Sequence, residues 1–183
     1  MSVSTAGVEG NNGSYEPQIS SDGRYIVFSS DSTNLVAGDT NGVRDVFLRD
    51  TQLNTTTRVS ISTAGTEGNE TVVDNTIASI SNDGRYVFFQ STATNLVAGD
   101  TNALPDVFMR DTQSNTTTRV SVSTAGAEAD QGVTSDFVGI SDDGRYLIFT
   151  SESTNLITGD TAGFADVFLR DTQLNTTTRI SVD

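Results

Sequence analysis

The sequence contains no cysteine, no histidine, no tryptophan and no lysine. Without thiols or imidazoles the chain forms no disulfide and no thiolate metal site, and neither a Ser-His-Asp triad nor a Cys-His dyad can be assembled. Positive charge is scarce as well: ten arginines stand against 24 acidic residues, for a formal net charge of −14. Nucleic acid and anionic membranes both bind basic surface, so neither is expected as a partner. Apolar runs stop at four residues, as in Tyr25-Ile26-Val27-Phe28, far short of the ~20 that a spanning helix needs. No hydrophobic signal segment follows Met1. The expectation is a soluble chain with no membrane insertion and no export address of its own.

What the sequence has in abundance is repetition. Gly23, Gly84 and Gly144 recur 61 and 60 residues apart in Ser-Asp-Gly-Arg-Tyr, Asn-Asp-Gly-Arg-Tyr and Asp-Asp-Gly-Arg-Tyr, and Asp45, Asp106 and Asp166 keep the same spacing. The 183 residues therefore divide into three units, 1–62, 63–123 and 124–183. The stretches 46–58, 107–119 and 167–179 differ only at Leu48/Met109 and Leu53/Ser114, a similarity that implies recent duplication or deliberate design.

Each unit reads as four short strands. The first ends at Ile19-Ser20, and Asp22-Gly23 supplies the hairpin turn, because glycine reaches the positive φ of a tight turn without strain. The second, Tyr25 to Ser29, is apolar on both alternating faces, as in a strand sandwiched between layers. The third runs from Asp45 to Arg49, and a turn through Gln52 to Thr55 leads to a fourth from Thr56 to Ser62. There Thr57, Val59 and Ile61 alternate with Arg58 and Ser60, which predicts an outer strand with one buried face.

Four antiparallel strands per unit, the inner ones buried on both sides, predict an all-β fold of β-propeller blades. The run Ile19-Ser20-Ser21-Asp22-Gly23-Arg24-Tyr25-Ile26-Val27-Phe28-Ser29, followed by Asp45-Val46-Phe47-Leu48-Arg49-Asp50, resembles the TolB-like, WD-type β-propeller repeat. The resemblance recurs three times and covers nearly the whole chain. It implies the fold and not an activity, and it points to relatives in the periplasm or outside the cell.

Propellers have four to eight blades, and six is the only multiple of three in that range. The expectation is a homodimer that closes a six-bladed ring, blade three of each chain meeting blade one of the other. Ser2-Val3-Ser4 matches Ser60-Ile61-Ser62 and Ser181-Val182-Asp183, which assigns both chain ends to the outer strand.

Three groups of residues carry candidate chemistry. The connection from second to third strand places Asp39, Asn41 and Asp45 in a D-x-N-G-x-x-D pattern, echoed by Asp100, Asn102 and Asp106 and by Asp160 and Asp166. These oxygen ligands suit calcium, the one cofactor the sequence suggests. The same residues also fit Asx-turns and capping of loop amides. Nine of the ten arginines are locked to the repeat, and structural pairing with Asp22, Asp45, Asp50 and their equivalents is expected for them. The connections from fourth to first strand diverge most, so the long-loop face is the expected ligand face. Glu16, Glu70, Asp74 and Asp136 lie in these connections with no identifiable partner. The chain is therefore expected to be no enzyme, and its role to be that of a self-assembling scaffold. The alternative is a ligand-binding module, calcium-dependent, of a periplasmic or extracellular bacterial protein. The Asn-Thr-Thr triplets at Asn54, Asn115 and Asn175 match a glycosylation sequon that is common in threonine-rich hairpins.

Overall fold

The computed structural model describes residues 2–72, 78–134, 139–160 and 163–181. Asp74, Asp136, Val182 and Asp183 lie outside the described residues, as does part of the divergent connections. Three four-stranded antiparallel sheets form, each in up-and-down order. The first holds β1 (Ser14–Ile19), β2 (Tyr25–Ser30), β3 (Asp45–Asp50) and β4 (Thr55–Arg58). The second holds β5 (Ser79–Ile80), β6 (Tyr86–Ser91), β7 (Asp106–Asp111) and β8 (Thr116–Arg119). The third holds β9 (Gly139–Ile140), β10 (Tyr146–Ser151), β11 (Asp166–Asp171) and β12 (Thr176–Arg179). No helix occurs among the described residues.

The β1–β2 hairpin is built by one short motif. Ser20 Oγ donates to Asp22 Oδ1, which also accepts the Arg24 N–H at 2.9 Å, and Gly23 turns the chain at φ 74°. Ser20 Oγ in turn accepts the Tyr25 N–H at 3.0 Å. The serine and the aspartate recur in every copy, and Ser81 with Asp83 and Ser141 with Asp143 repeat these bonds. At the β3–β4 turn, Asp50 Oδ1 accepts the N–H groups of Gln52 and Leu53, while Asn54 takes the left-handed conformation at φ 56°. Asparagine tolerates that conformation better than most residues, which accounts for the Asn-Thr-Thr triplet without glycosylation.

The register between second and third strands is the same in all three sheets and sets Phe28 opposite Phe47, Phe89 opposite Phe108 and Phe149 opposite Phe168. Each pair stacks, with centroids 5.6 to 5.8 Å apart. The core lies between sheets as much as within them. Val27, Val46, Leu48 and Val59 of the first blade pack with Val72, Val87, Phe89 and Phe108 of the second. Phe88, Val107 and Val120 of the second meet Val133, Leu147, Phe149 and Phe168 of the third. The sheets thus stack face to face in chain order as propeller blades, with seams as their apolar core.

Two expectations are corrected. The fourth strand is shorter than its alternating pattern suggests and ends at Arg58, not Ser62. Val59 N–H still reaches Val46 O, but the Ser60 hydroxyl takes the next place in the ladder by accepting Val46 N–H and donating to Asp45. Within the strand Thr56 is buried and Thr57 exposed, the reverse of the predicted faces. Ser2-Val3-Ser4 is likewise no part of an outer strand. Val3 bridges Glu9 in a small leading hairpin, and Ile61–Glu67 and Val122–Glu128 form its equivalents. Each hairpin is tied to the outer strand of its own blade: Thr56 Oγ1 donates to Val3 O, and Thr56 N–H donates to Thr5 Oγ1. Thr117 and Thr177 make the same pair of bonds, to Ile61 and Thr63 and to Val122 and Thr124.

Candidate functional site

The residues expected to hold calcium converge on an arginine in each copy. In the first copy Asp39 and Asp45 approach Arg58 Nη1 at 3.2 and 3.0 Å, and Glu67, from the leading hairpin of the next blade, reaches Arg58 Nη2 at 2.7 Å. In the second copy Asp100, Asp106 and Glu128 surround Arg119 Nη1 at 3.4, 3.2 and 2.5 Å. In the third, Asp160 and Asp166 lie 3.4 and 3.1 Å from Arg179 Nη1. The two asparagines make the predicted Asx-turns, Asn41 Oδ1 accepting Val43 N–H and Asn102 Oδ1 accepting Leu104 N–H. Their amides also donate across the seam, to Gly68 O and Ala129 O.

A glutamate closes each of the first two clusters. Glu67 accepts both the N–H and the hydroxyl of Thr40, and Glu128 those of Thr101. These donors, with Arg119, overcome burial and hold the Glu128 carboxyl at about 2. Burial dominates at the neighbouring aspartates instead. It pushes Asp100 up to about 6, with the nearby Asp106 carboxylate adding to the effect and Arg119 opposing it. Asp39 is raised by burial and by Asp45 in the same way. Asp39 Oδ1 and Asp100 Oδ1 have no aligned hydrogen bond and are met by charge alone. The ligand oxygens of Asp100, Asp106 and Glu128 lie within 4.8 Å of one another. Sequence reading passes over Glu67 and Glu128. The signal is nonetheless present: with Glu9 they repeat inside otherwise divergent connections, each nine residues after an arginine in the two complete copies.

Arg44 pairs with Asp31 at 2.9 Å, and the other six arginines divide into two classes. Arg24, Arg85 and Arg145 pair with Asp50, Asp111 and Asp171 at 2.7 to 2.8 Å, as expected, and hold each carboxyl at about 2. Arg49, Arg110 and Arg170 depart from the expectation of aspartate partners. Their guanidinium groups bond neutral oxygens, among them the Asn54, Asn115 and Asn175 side chains and the hydroxyls of Thr56, Thr117 and Thr177. Burial lowers Arg110 and Arg170 from the usual range.

An aromatic contact sits on the opposite rim of each seam. The Tyr25 ring lies against Gly84 of the next blade so closely that a Cβ there would come within 2.4 Å of it, and Tyr86 meets Gly144 in the same way. Arg24 and Arg85 cover the tyrosine rings at 4.7 Å from the centroid. Of the acids expected in loops, Glu16 lies instead within β1, where it accepts the Ser29 hydroxyl, and Glu70 is exposed. No helix among the described residues is long and apolar enough to cross a membrane.

No family model matches the sequence, and comparison with curated proteins gives no match. Solved structures do match, and all three that follow are similar in fold. The TolB structure from Agrobacterium tumefaciens has a TM-score of 0.52 at 16% identity, over 91% of this chain and 48% of that one. The β-propeller domain of the Trilobed protease from Pyrococcus furiosus gives 0.53 at 12%, over 91% and 41%. A puromycin-hydrolyzing peptidase from Mycobacterium tuberculosis gives 0.55 at 8%, over 92% and 20%. The chain spans less than half the length of each. At these identities the likeness establishes the fold alone: three blades of a β-propeller, TolB among its structural neighbours.

Proposed function

We propose that this chain is a structural propeller module that works by association rather than by catalysis, two copies stacking blade on blade into a six-bladed ring. One observation carries the reading. Val27 and Phe88, which fill the two internal seams, are fully buried, whereas Ile148 at the equivalent place on the third blade is 38% exposed. A β-sheet face that is apolar in every blade and uncovered in one invites another blade. The repeated carboxylates support a non-catalytic role, because Asp45, Asp50 and their equivalents are committed to arginines and Asp22 and its equivalents to the hairpin turn. Sedimentation equilibrium on the 183-residue chain tests the proposal: a species at twice 19.4 kDa is expected, and a folded monomer at micromolar concentration overturns it.

A second reading keeps calcium. It is favoured by the proximity of the Asp100, Asp106 and Glu128 oxygens, since a divalent cation draws three carboxylates together as an arginine does. On this reading the ion stiffens the seam on the long-loop face, and the module binds its ligand there in a calcium-dependent way.

A further inference from the structure

We infer that the third seam site is half of a binding site, which Glu9 and Gly23 of a second copy of this chain complete. The inference rests on the proposed self-association and names the joint through which it occurs. At both internal seams the arginine is enclosed by two aspartates of its own blade and a glutamate of the next, and its side chain is 8 to 9% exposed. Arg179 keeps Asp160 and Asp166 but has no glutamate among the described residues, and its side chain is 28% exposed. At the other end of the chain stands the matching glutamate. Glu9 occupies the position of Glu67 and Glu128 in its leading hairpin, yet it is exposed and its carboxylate makes no ion pair among the described residues.

The aromatic contact is divided in the same manner and independently of charge. Tyr146 carries Arg145 on one side of its ring at 4.7 Å, as Tyr25 and Tyr86 carry their arginines, but it is 37% exposed and no glycine lies against it among the described residues. Gly23 has the backbone of Gly84 and Gly144, at φ 74°, and nothing within 4 Å of the place its Cβ would take. Ile180 is 49% exposed where its counterparts Val59 and Val120 are 2% and 4% exposed. One end of the chain thus presents an unfilled arginine and an uncovered tyrosine. The other presents a free carboxylate and a bare glycine, in the arrangement that fills both internal seams. Each of the two joints of a ring would gain one charge-assisted pair and one ring-on-glycine contact.

The test uses the full chain with single substitutions, read by the dimer dissociation constant from sedimentation velocity. Loss of a charge-assisted contact changes an equilibrium by about tenfold, so Glu9→Gln should weaken the dimer by roughly a hundredfold over its two joints. Tyr146→Ser and Gly23→Ala should each weaken it as well. Leu174→Ser, at an exposed turn away from either face, should not. Thermal unfolding under fully dissociating dilution should match the parent for Glu9→Gln, whose carboxylate is exposed, which separates association from folding. A monomeric parent overturns the self-association and this joint together. A dimeric parent whose dissociation is unmoved by Glu9→Gln and Tyr146→Ser overturns the joint alone and leaves the association standing.

Discussion

At the scale of single residues, the arginine pairs within each blade and the aspartates of the seam clusters set opposing pH responses. Asp50, Asp111 and Asp171 have carboxyls held at about 2 by their arginines, so their stabilisation is fully present above the usual carboxyl value near 4 and is lost as pH falls toward 2. Asp100 behaves in the opposite sense. Its folded value of about 6 lies above the unfolded one, so the native state holds a proton that the unfolded chain has lost, and stability declines as pH rises from about 4 to 6. Asp39 and Asp106 are raised in the same direction. The urea midpoint is therefore expected to peak near pH 4. Asp100→Asn should remove part of the decline from pH 4 to 6 and leave the rise from pH 2 to 4 intact. A midpoint that keeps the parent's full decline in this variant would show that Asp100 titrates normally.

At the scale of the hairpin and strand, the Asp-Gly turns are alike in sequence and unlike in burden. All three glycines turn the chain at positive φ, where a side chain costs about 1 to 2 kcal/mol. At Gly84 and Gly144 a Cβ also collides with a tyrosine ring, whereas at Gly23 it meets open space within one chain. Urea unfolding at high dilution should show Gly84→Ala and Gly144→Ala losing more stability than Gly23→Ala, by about 1 to 3 kcal/mol for the overpacking. This contrast marks how far local sequence can be read. The hairpin and the four-stranded blade are legible, because Ser-x-Asp-Gly-Arg-Tyr and Asp-Val-Phe act within a few residues. The end of the outer strand is not, because it depends on Ser60 bonding Asp45 and Val46 across the sheet. Nor is the seam cluster. Asp39, Asn41 and Asp45 announce themselves as a run of oxygen ligands, but the arginine they surround lies 19 residues beyond Asp39, and the glutamate that completes the group belongs to the following blade. Local spacing reports ligand types. It does not report which loop the topology will bring beside them.

At the scale of the whole molecule, a net charge of −14 makes any cation stabilising by relief of self-repulsion. Calcium and magnesium chloride at equal ionic strength are expected to raise the melting temperature equally if arginines satisfy the seams. A rise specific to calcium that disappears with Asp106→Asn would favour the calcium reading, since magnesium's strict octahedral demand suits such an irregular group poorly. Association predicts a further dependence: the melting temperature should climb with protein concentration, as it does whenever partners bind the folded state only. A value constant over a hundredfold range of concentration would speak against ring closure. The threonine ties have a different consequence, one felt under tension. Each joins a leading hairpin to an outer strand some 51 to 56 residues later, and so shields the intervening chain from a pulling force until it breaks. Stretching one molecule by its ends should lengthen it in three discrete steps, each releasing about 180 Å of contour at roughly 3.5 Å per residue. Replacing Thr117 by valine, which deletes the hydroxyl tie of the central blade alone, should lower the force of one step and leave the other two unchanged.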